Sequence, residues 1–324
     1  MTNLVSVQKI YGQTLVEMGE KDGRIVVVEA DLMKASGSRP FADRFPERYF
    51  QVGVAEQNLI GVAAGLAASG LIPFASSFAN FISKRCCDQV SISVAYNRFN
   101  VKMCGSYAGL TNEKNGGTHI SVEDLAIYRS MPNMVVIVPG DTVELAQAMH
   151  VMADYEGPVY LRMARGPMPR IFGEDYIFVL GKGCLLQDGD DATIISTGIM
   201  TYESIRAIPK LKEKGIKVRH IHLPTIKPLD EDLILKAAKE TKAIVTVENH
   251  SILGGLGGAV AELLSENFPV LLKRIGIRDK FGETATLEWL LENNRMSAPF
   301  IVGAVREVID HKISYKKGCC NFEQ

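Results

Sequence analysis

The stretch that decides the fold is YFQVGVAEQNLIGVAAGLAASGLIPFASSF, residues 49–78. A strand-like run gives way at Glu56 to an apolar run of helical character, and Gly70 and Pro73 mark the end of that helix before a second apolar run. Glu56 is the last charged residue before an uncharged segment that extends to Ser83. This order predicts a strand, a helix and a buried strand, with one carboxylate at the N-terminus of the helix.

The uncharged segment is long enough for a membrane span to be considered as an alternative. Its glycines, Pro73, Asn80 and serines argue against that alternative, and a buried helix followed by a buried strand is expected instead. The first residues lack the basic and apolar regions of a signal peptide. The six cysteines show no zinc-binding spacing. We therefore expect reduced thiols, a cytoplasmic location and no membrane contact.

The charge balance restricts the classes of partner. Lys and Arg number 36, and Asp and Glu number 37, among 324 residues, which gives a formal net charge of −1. Such a balance indicates no nucleic-acid surface. The short basic cluster KRCC, residues 84–87, is interpreted as a solvated surface.

Runs rich in Val and Ile alternate with amphipathic segments in two series along the chain. Predicted strands of the first series lie at residues 24–30, 71–77, 101–105, 134–139 and 158–163. Those of the second series lie at residues 192–197, 218–224, 243–249 and 270–276. Apolar strands that alternate with helices are typical of parallel sheets buried on both faces.

Residues 166–191 interrupt this rhythm with glycines, prolines and an acidic turn. We therefore predict an α/β fold of two consecutive parallel-sheet domains. The predicted boundaries are 1–172 for the first domain, 173–189 for a linker and 190–324 for the second domain. The C-terminal tail, residues 313–324, is expected to be mobile.

Glu56 and two phenylalanines are the first candidates for chemistry. A glutamate at a helix N-terminus stabilises the helix dipole, but among uncharged neighbours it could also share a proton with a ligand nitrogen. Phe78 and Phe81 are three residues apart. They could belong to the core or form a flat wall for a heteroaromatic ring.

A glycine-rich polar loop, residues 105–119, follows a predicted strand and ends at His119. Loops at the carboxyl ends of parallel strands are where α/β proteins bind ligands. Arg165 lies just past another strand and could bind a phosphate or form a salt bridge between domains. The GLGG run at residues 255–258 lacks a dinucleotide fingerprint and is interpreted as close backbone packing at a turn.

Several segments together resemble the C-terminal half of transketolases: VGVAEQNLIGVAAGLAASG, FASSFANF, GGTHISVEDLAIYRSMPNMVVIVPGD, TIKPLDED and VENHSILGGLGGAVAELL. The similarity extends from about Val7 to about Val308 and points to the smaller subunit of split transketolases, in which two chains replace the usual one. The resemblance implies a pyrimidine-binding domain for thiamine diphosphate followed by a transketolase C-terminal domain. It also implies transfer of a two-carbon ketol unit between sugar phosphates.

The resemblance also assigns roles on the cofactor side. In transketolases, the glutamate that matches Glu56 contacts a ring nitrogen of the aminopyrimidine, and proton sharing there promotes formation of the nucleophilic ylid. The resemblance implies that Phe78 and Phe81 pack on the pyrimidine and that Asp31 lies near the cofactor. Lys84 stands where many members have a third aromatic residue.

On the substrate side, His119 matches a catalytic histidine that contacts the sugar, and Arg165 matches an arginine that binds the sugar phosphate. Tyr107 stands where typical members have a histidine. Asn115 replaces an aspartate that recognises a sugar hydroxyl, because EKNG at residues 113–116 replaces GEDG. Gln8 lies where many members use an arginine for phosphate. These departures suggest an unusual sugar, such as the branched pentulose apulose 4-phosphate.

The diphosphate–magnesium motif of the family, GDG followed by a downstream asparagine, does not occur in the sequence. The resemblance therefore implies a partner, the N-terminal transketolase subunit, that holds the diphosphate and Mg²⁺. No metal ligand is expected in this chain. The active site would form between chains in an α2β2 assembly.

Two other functions stay open from the sequence. The β subunit of a 2-oxoacid dehydrogenase has a similar two-domain layout and would transfer acyl units, but GGTHISVEDLAIYRSMPN and TIKPLDED favour a transketolase. A non-catalytic interaction module is the second alternative. The presence of Glu56, His119 and Arg165 argues against it.

Overall fold

The computed structural model describes residues 4–319, with side chains described up to Ile313. The end of the tail that was predicted to be mobile lies outside the described residues. The strands are β1 Leu4–Ser6, β2 Ile25–Glu29, β3 Tyr49–Gln51, β4 Ile72–Phe78, β5 Lys102–Ser106, β6 Val135–Ile137, β7 Val159–Arg162, β8 Pro167–Pro169, β9 Cys184–Gln187, β10 Ala192–Ser196, β11 Val218–His222, β12 Thr225–Lys227, β13 Ala243–Ser251 and β14 Leu271–Ile277.

The α-helices are α1 Val7–Lys21, α2 Met33–Ser36, α3 Arg39–Arg44, α4 Glu56–Ala68, α5 Ala79–Lys84, α6 Cys87–Gln89, α7 Asp124–Ser130, α8 Thr142–Asp154, α9 Met200–Glu213, α10 Glu231–Thr241, α11 Leu256–Asn267, α12 Leu287–Asn293 and α13 Ala298–Cys319. Short 3₁₀ turns lie at Pro46–Arg48 and Gly109–Asn112, and a π-helical segment lies at Val90–Ala95. Among the described residues, no helix is both long and apolar enough to span a membrane.

Within residues 4–319, seven strands form the first sheet, in the order β12-β6-β7-β5-β4-β2-β3. Every neighbouring pair is parallel except β12–β6. The predicted strands of the first series are confirmed. The sequence did not indicate β12, which comes from the second series and crosses over to pair with β6 as an antiparallel edge.

The second sheet has the order β14-β13-β10-β11-β9 in the described part of the chain. Its pairs are parallel except β11–β9, which is antiparallel. The four predicted strands of this series are confirmed. The segment predicted as a linker contains β9, which completes the edge of this sheet. The α/β fold with two sheet domains agrees with the prediction, and each parallel sheet carries one antiparallel edge strand.

The stretch at residues 49–78 forms β3, α4 and β4, as predicted. On α4, Leu59, Ile60 and Ala63 are fully buried and belong to the same apolar core as Val28 and Ala75 of the sheet. The helix ends before Gly70, whose φ of +87° is a left-handed conformation that glycine adopts without strain. The chain then returns as β4 beside β2. This packing fixes the N-terminus of α4, and therefore Glu56, at the carboxyl edge of the sheet.

The backbone of the glycine-rich turn before α11 packs closely against side chains of β13, in agreement with the close packing that the sequence indicated. The Glu248 carboxylate accepts hydrogen bonds from the backbone N–H groups of Leu256 at 2.7 Å and Gly257 at 2.8 Å. A Cβ atom at Gly257 would lie 2.8 Å from Thr246 Oγ1, so a larger residue does not fit there. The turn therefore belongs to the core of the second domain.

Candidate active site

The carboxyl ends of adjacent parallel strands place the predicted site residues along one edge of the first sheet. Asp31 follows β2, Phe78 ends β4, Tyr107 follows β5 and Arg165 follows β7. The order β7-β5-β4-β2 makes these strands consecutive neighbours. This edge is where open parallel sheets bind ligands.

Glu56 is buried at the first position of α4, with 3% of its side chain exposed. Its Oε1 atom accepts a hydrogen bond from Ser77 Oγ at 3.4 Å, and its Oε2 atom accepts one from Arg85 Nη1 at 3.1 Å. An open cavity of about 400 Å³ adjoins the carboxylate; its lining residues are Val54, Ala55, Glu56, Gln57, Asn58 and Arg85. The site therefore combines a buried acid with space for a ligand.

The expectation that Glu56 has uncharged surroundings is wrong, because a charged side chain contacts it in the folded chain. Arg85, just beyond the uncharged segment, forms an ion pair with Glu56 and lies over the Phe81 ring, 3.9 Å from its centroid. The interpretation of residues 84–87 as a solvated surface also missed this contact, although the Arg85 side chain is 50% exposed. The spacing of four residues from Phe81 to Arg85 was the available signal, because residues four apart meet on one helix face.

Burial and the nearby Glu56 carboxylate raise the pKa of the Cys86 thiol to about 12. The thiol next to Arg85 is therefore protonated at neutral pH. Lys84, at the position of a third aromatic in many transketolases, forms an ion pair with Glu123 at 2.8 Å. Because Lys84 replaces the third aromatic residue, Phe78 and Phe81 form the aromatic surface on this side of the site.

Phe78 and Phe81 belong to a group of rings that also contains Tyr107 and His119. The centroid distances are 5.9 Å for Phe78–Phe81, 4.8 Å for Phe78–Tyr107 and 4.9 Å for Phe81–His119. Edge-on and tilted geometries of this kind are favourable for aromatic pairs. The two phenylalanines are partly exposed and so form a ring-lined wall rather than part of the core.

Arg165 continues this group on the far side of Tyr107. Its guanidinium carbon lies 4.8 Å from the centroid of the Tyr107 ring. Gln8 braces the backbone on both sides of Arg165, because it donates to the Ala164 carbonyl at 3.1 Å and accepts from the Gly166 N–H at 3.0 Å. In the described structure, the buried Nη1 atom of Arg165 has no hydrogen-bond partner. An unpaired guanidinium nitrogen in this position fits an anionic ligand group.

Contacts thus connect Glu56, Arg85, Phe81, His119, Phe78, Tyr107 and Arg165 in one continuous group. Asn115 lies next to it on the exposed loop and donates to Asn112 Oδ1 at 2.7 Å. Asp31 is exposed at the same sheet edge, with a φ of +60°, and its N–H donates to Gln51 Oε1 at 2.6 Å. Within residues 4–319, no hydrogen bond or ion pair joins Asp31 to this group. Asp31 shares the edge with the group but not its contacts.

The sequence matches two family models, the pyrimidine binding domain of transketolase over residues 4–170 and the C-terminal domain of transketolase over residues 181–298. The chain belongs to the transketolase family. The resemblance stated from the sequence is therefore confirmed. The alternative of a 2-oxoacid dehydrogenase subunit is not favoured, and the family implies dependence on thiamine diphosphate.

Two relatives of this transketolase chain are named as subunits. The chain is 49% identical to the 6-deoxy-6-sulfo-D-fructose transketolase subunit SqwH of Clostridium sp. (strain MSTE9), covering 93% of this chain and 94% of the relative. It is 39% identical to an apulose-4-phosphate transketolase subunit of Phocaeicola vulgatus, covering 86% and 89%. A solved split gene transketolase, described as an inactive β4 tetramer, superposes with a TM-score of 0.89 at 42% identity, covering 94% of this chain and 99% of that chain.

The transketolase site fits the pyrimidine half of thiamine diphosphate on structural grounds. A buried carboxylate faces a cavity, and partly exposed phenylalanine rings lie beside it. Within the described residues, no group of three or more His, Cys, Asp or Glu side chains is arranged to hold a metal ion.

Proposed function

We propose that this chain is the C-terminal subunit of a two-chain transketolase that moves a two-carbon ketol unit between sugars carrying a terminal anionic group. The observation that carries this proposal is the continuous group from Glu56 to Arg165. It puts a buried acid at one end and an arginine with an unpaired nitrogen at the other. Between them lie rings and the loop with Asn115 and His119.

On this proposal, each residue of the chain has a separate task. Thiamine diphosphate, when bound, supplies the nucleophilic carbon. Glu56 holds a proton at the aminopyrimidine nitrogen, Phe78 and Phe81 form the wall for the pyrimidine, and Asp31 borders the cofactor. Because Arg85 is half exposed, its guanidinium can leave the Glu56 carboxylate when a ligand fills the cavity.

The substrate side orients the sugar. His119 donates to or accepts from the reacting end of the sugar, and Asn115 and Tyr107 recognise its hydroxyl groups. Arg165 pairs with the terminal anion, because a guanidinium offers parallel donors to such a group. The stacking of this guanidinium on the Tyr107 ring keeps it at the far end of the site.

The proposed partner is an N-terminal transketolase subunit that carries the GDG motif and holds the diphosphate and Mg²⁺. Support comes from the two matched domains, neither of which is a diphosphate-binding domain. We also propose domain boundaries of 1–172 and 190–324, joined by residues 173–189, of which β9 adds the edge strand to the sheet of the second domain. A cytoplasmic location is part of the same proposal, supported by the free thiols of Cys86, Cys87, Cys104 and Cys184.

We further propose self-association, with α2β2 as the complete assembly. Large apolar side chains are exposed near the Glu56 cavity: Val54 is 70%, Ile92 58% and Tyr96 79% exposed. Val54 lines the cavity itself, and the segment Val90–Ala95 packs beside α4. Exposed apolar groups of this size mark an interaction surface. A second copy beside this face, together with the N-terminal subunit that holds the diphosphate, would close the cavity around the cofactor.

Two anionic sugars are candidates for the substrate. The departures Tyr107, Asn115 and Gln8 suggested a branched pentulose phosphate such as apulose 4-phosphate. The single positive charge that Arg165 offers to the terminal anion of the sugar favours a sulfonated ketose as a second candidate. Arg165 supplies one positive charge and Gln8 supplies none, whereas a phosphate monoester carries a charge of about −1.5 to −2 at neutral pH and a sulfonate carries only one.

The decisive experiment compares the chain alone with the chain plus the partner subunit. We expect no measurable turnover by the chain alone and ketol transfer by the pair, because the diphosphate half of the site comes from the partner. Ketose substrates are apulose 4-phosphate, xylulose 5-phosphate and 6-deoxy-6-sulfo-D-fructose, with pyruvate as the substrate of the dehydrogenase alternative. Turnover by the purified chain alone would contradict the proposal, and so would activity of the pair with pyruvate only.

Tyr107 and Asn115 should set sugar preference. The double variant Tyr107→His/Asn115→Asp restores the common transketolase residues, so its kcat/KM for xylulose 5-phosphate should rise relative to that for the native sugar. A change of about 1–3 kcal/mol is expected, the usual cost of leaving a polar group unpaired once the bound sugar buries it. Steady-state kinetics on two sugars measures it, with Asn267→Asp on the exposed end of α11 as the charge control. An unchanged ratio would remove both residues from sugar recognition.

A further inference from the structure

A loop of the second domain lies directly on the loop that carries Asn115 and His119. We call residues 109–119 the substrate loop and residues 279–286 the clamp loop, which follows β14. A Cβ atom at Gly117 would lie 2.6 Å from the carbonyl oxygen of Gly282, and one at Gly116 would lie 3.1 Å from Thr284 Oγ1. The two loops approach so closely because glycines occupy both positions of the substrate loop.

Glu113 makes polar contacts between the substrate loop and the second domain. Its backbone carbonyl accepts a hydrogen bond from the N–H of Ala285 at 3.1 Å. Its Oε2 atom accepts a second one from the N–H of Leu287 at 2.7 Å. A carboxylate that accepts from a backbone N–H forms a stronger bond than a neutral acceptor does. The side chain therefore fastens the substrate loop to the beginning of α12.

Asn112, the neighbour of Glu113, connects the contacts of Glu113 to Asn115 and His119. Its side chain is fully buried. Asn112 Oδ1 accepts from Asn115 Nδ2, and Asn112 Nδ2 donates to the carbonyl of His119, both at 2.7 Å. The start of the loop is also held by the second domain, because the Leu110 N–H donates to Asn249 Oδ1 at 3.0 Å. Movement at Glu113 is thus passed on to both Asn115 and His119.

We propose that Glu113 is a positioning residue through which the second domain sets the geometry of Asn115 and His119. This inference rests on the proposed function, which assigns Asn115 and His119 to the binding of the sugar. Glu113 is the first residue of EKNG, where typical transketolases have the first glycine of GEDG. A glycine has no side chain to reach Leu287. The contact is therefore a particular feature of this chain on the sugar side of the site.

The test uses Glu113→Ala and Glu113→Gln in the full chain, alone and with its partner subunit. Glu113→Ala should raise amide hydrogen exchange in residues 109–120 by about tenfold, the effect of losing one charged hydrogen bond. In the pair, the sugar KM should rise by about tenfold while the thiamine diphosphate Kd changes less than about twofold, because the cofactor side of the site is not held by this contact. Glu113→Gln keeps an acceptor oxygen for the Leu287 N–H and should restore most of both values.

Glu283→Ala is the matched control, because Glu283 is an exposed carboxylate of the clamp loop and should leave exchange and KM unchanged. Exchange in residues 109–120 that stays at the wild-type rate in Glu113→Ala would overturn the inference. A uniform rise over the whole second domain would also overturn it, because it would indicate a structural role only. If the wild-type pair transfers no ketol unit, the proposed function fails, and the exchange rates still decide whether Glu113 holds the loop.

Discussion

Glu56→Gln is expected to lower kcat of the two-chain enzyme by about 10²–10⁴-fold, the usual contribution of a general acid–base group. The amide has nearly the same shape, so its oxygen can still accept the hydrogen bond from Arg85, while its NH₂ group can donate to the Ser77 hydroxyl. It cannot share a carboxyl proton with the aminopyrimidine nitrogen. Steady-state kinetics of the co-purified pair at saturating thiamine diphosphate and Mg²⁺ measures the effect.

Glu47→Gln is the matched control for this prediction, because its carboxylate also pairs with an arginine, Arg48, but its side chain is 70% exposed. It should leave kcat unchanged. Circular dichroism and the melting temperature should show that Glu56→Gln keeps the fold. A Glu56→Gln enzyme within a few-fold of the wild-type kcat would remove Glu56 from the mechanism.

The order of elements could be predicted because local patterns carry it. Apolar runs of five to seven residues indicated the central strands of both sheets, and Gly70 with Pro73 indicated the end of α4. The position of Glu56 followed from the same stretch. The edge strands β9 and β12 were not predicted. Each is three or four residues long, and its identity depends on the strand it pairs with, which no local pattern records.

Site residues at the ends of strands could be predicted from the sequence. Contacts between residues far apart in the chain could not. Phe78, Tyr107 and Arg165 follow neighbouring strands, so the sheet order brings them together. Arg85 reaches Glu56 from 29 positions along the chain. Leu287 reaches Glu113 from 174 positions away. Contacts between distant positions depend on how the helices and domains pack, and a single sequence does not specify that packing.

A buried ion pair between Asp124 and Arg162 lies at the contact between the two domains. Arg162 Nε donates to Asp124 Oδ2 at 2.7 Å, and Arg162 Nη2 also donates to the carbonyl of Asn249 in β13 at 2.9 Å. Tyr160 donates to the same carboxylate at 2.7 Å. Burial alone would raise the pKa of Asp124, but the charge and hydrogen bonds of Arg162 outweigh it and hold that pKa below its ordinary value.

Asp124→Asn is therefore expected to lower the free energy of unfolding by about 3–5 kcal/mol at pH 7, because it leaves a guanidinium buried without a counter-charge. The new amide would also direct N–H donors at donors of Arg162 or Tyr160. Urea denaturation followed by fluorescence and circular dichroism measures the change. A group whose pKa is lowered in the folded state stabilises above its unfolded pKa of about 3.9. The deficit of the variant should stay constant from pH 8 to about 5 and shrink below about 4.

Asp43→Asn is the control, because Asp43 pairs with Arg39 at 3.4 Å and both side chains are more than half exposed. Such a surface pair contributes less than about 1 kcal/mol. The double variant Asp124→Asn/Arg162→Met should recover about half of the loss, since it removes the buried charge that the single variant leaves unpaired. If Asp124→Asn costs no more than Asp43→Asn, the pair is not what stabilises the boundary. If the double variant is worse than the single one, the bond from Arg162 to Asn249 contributes more than the ion pair does.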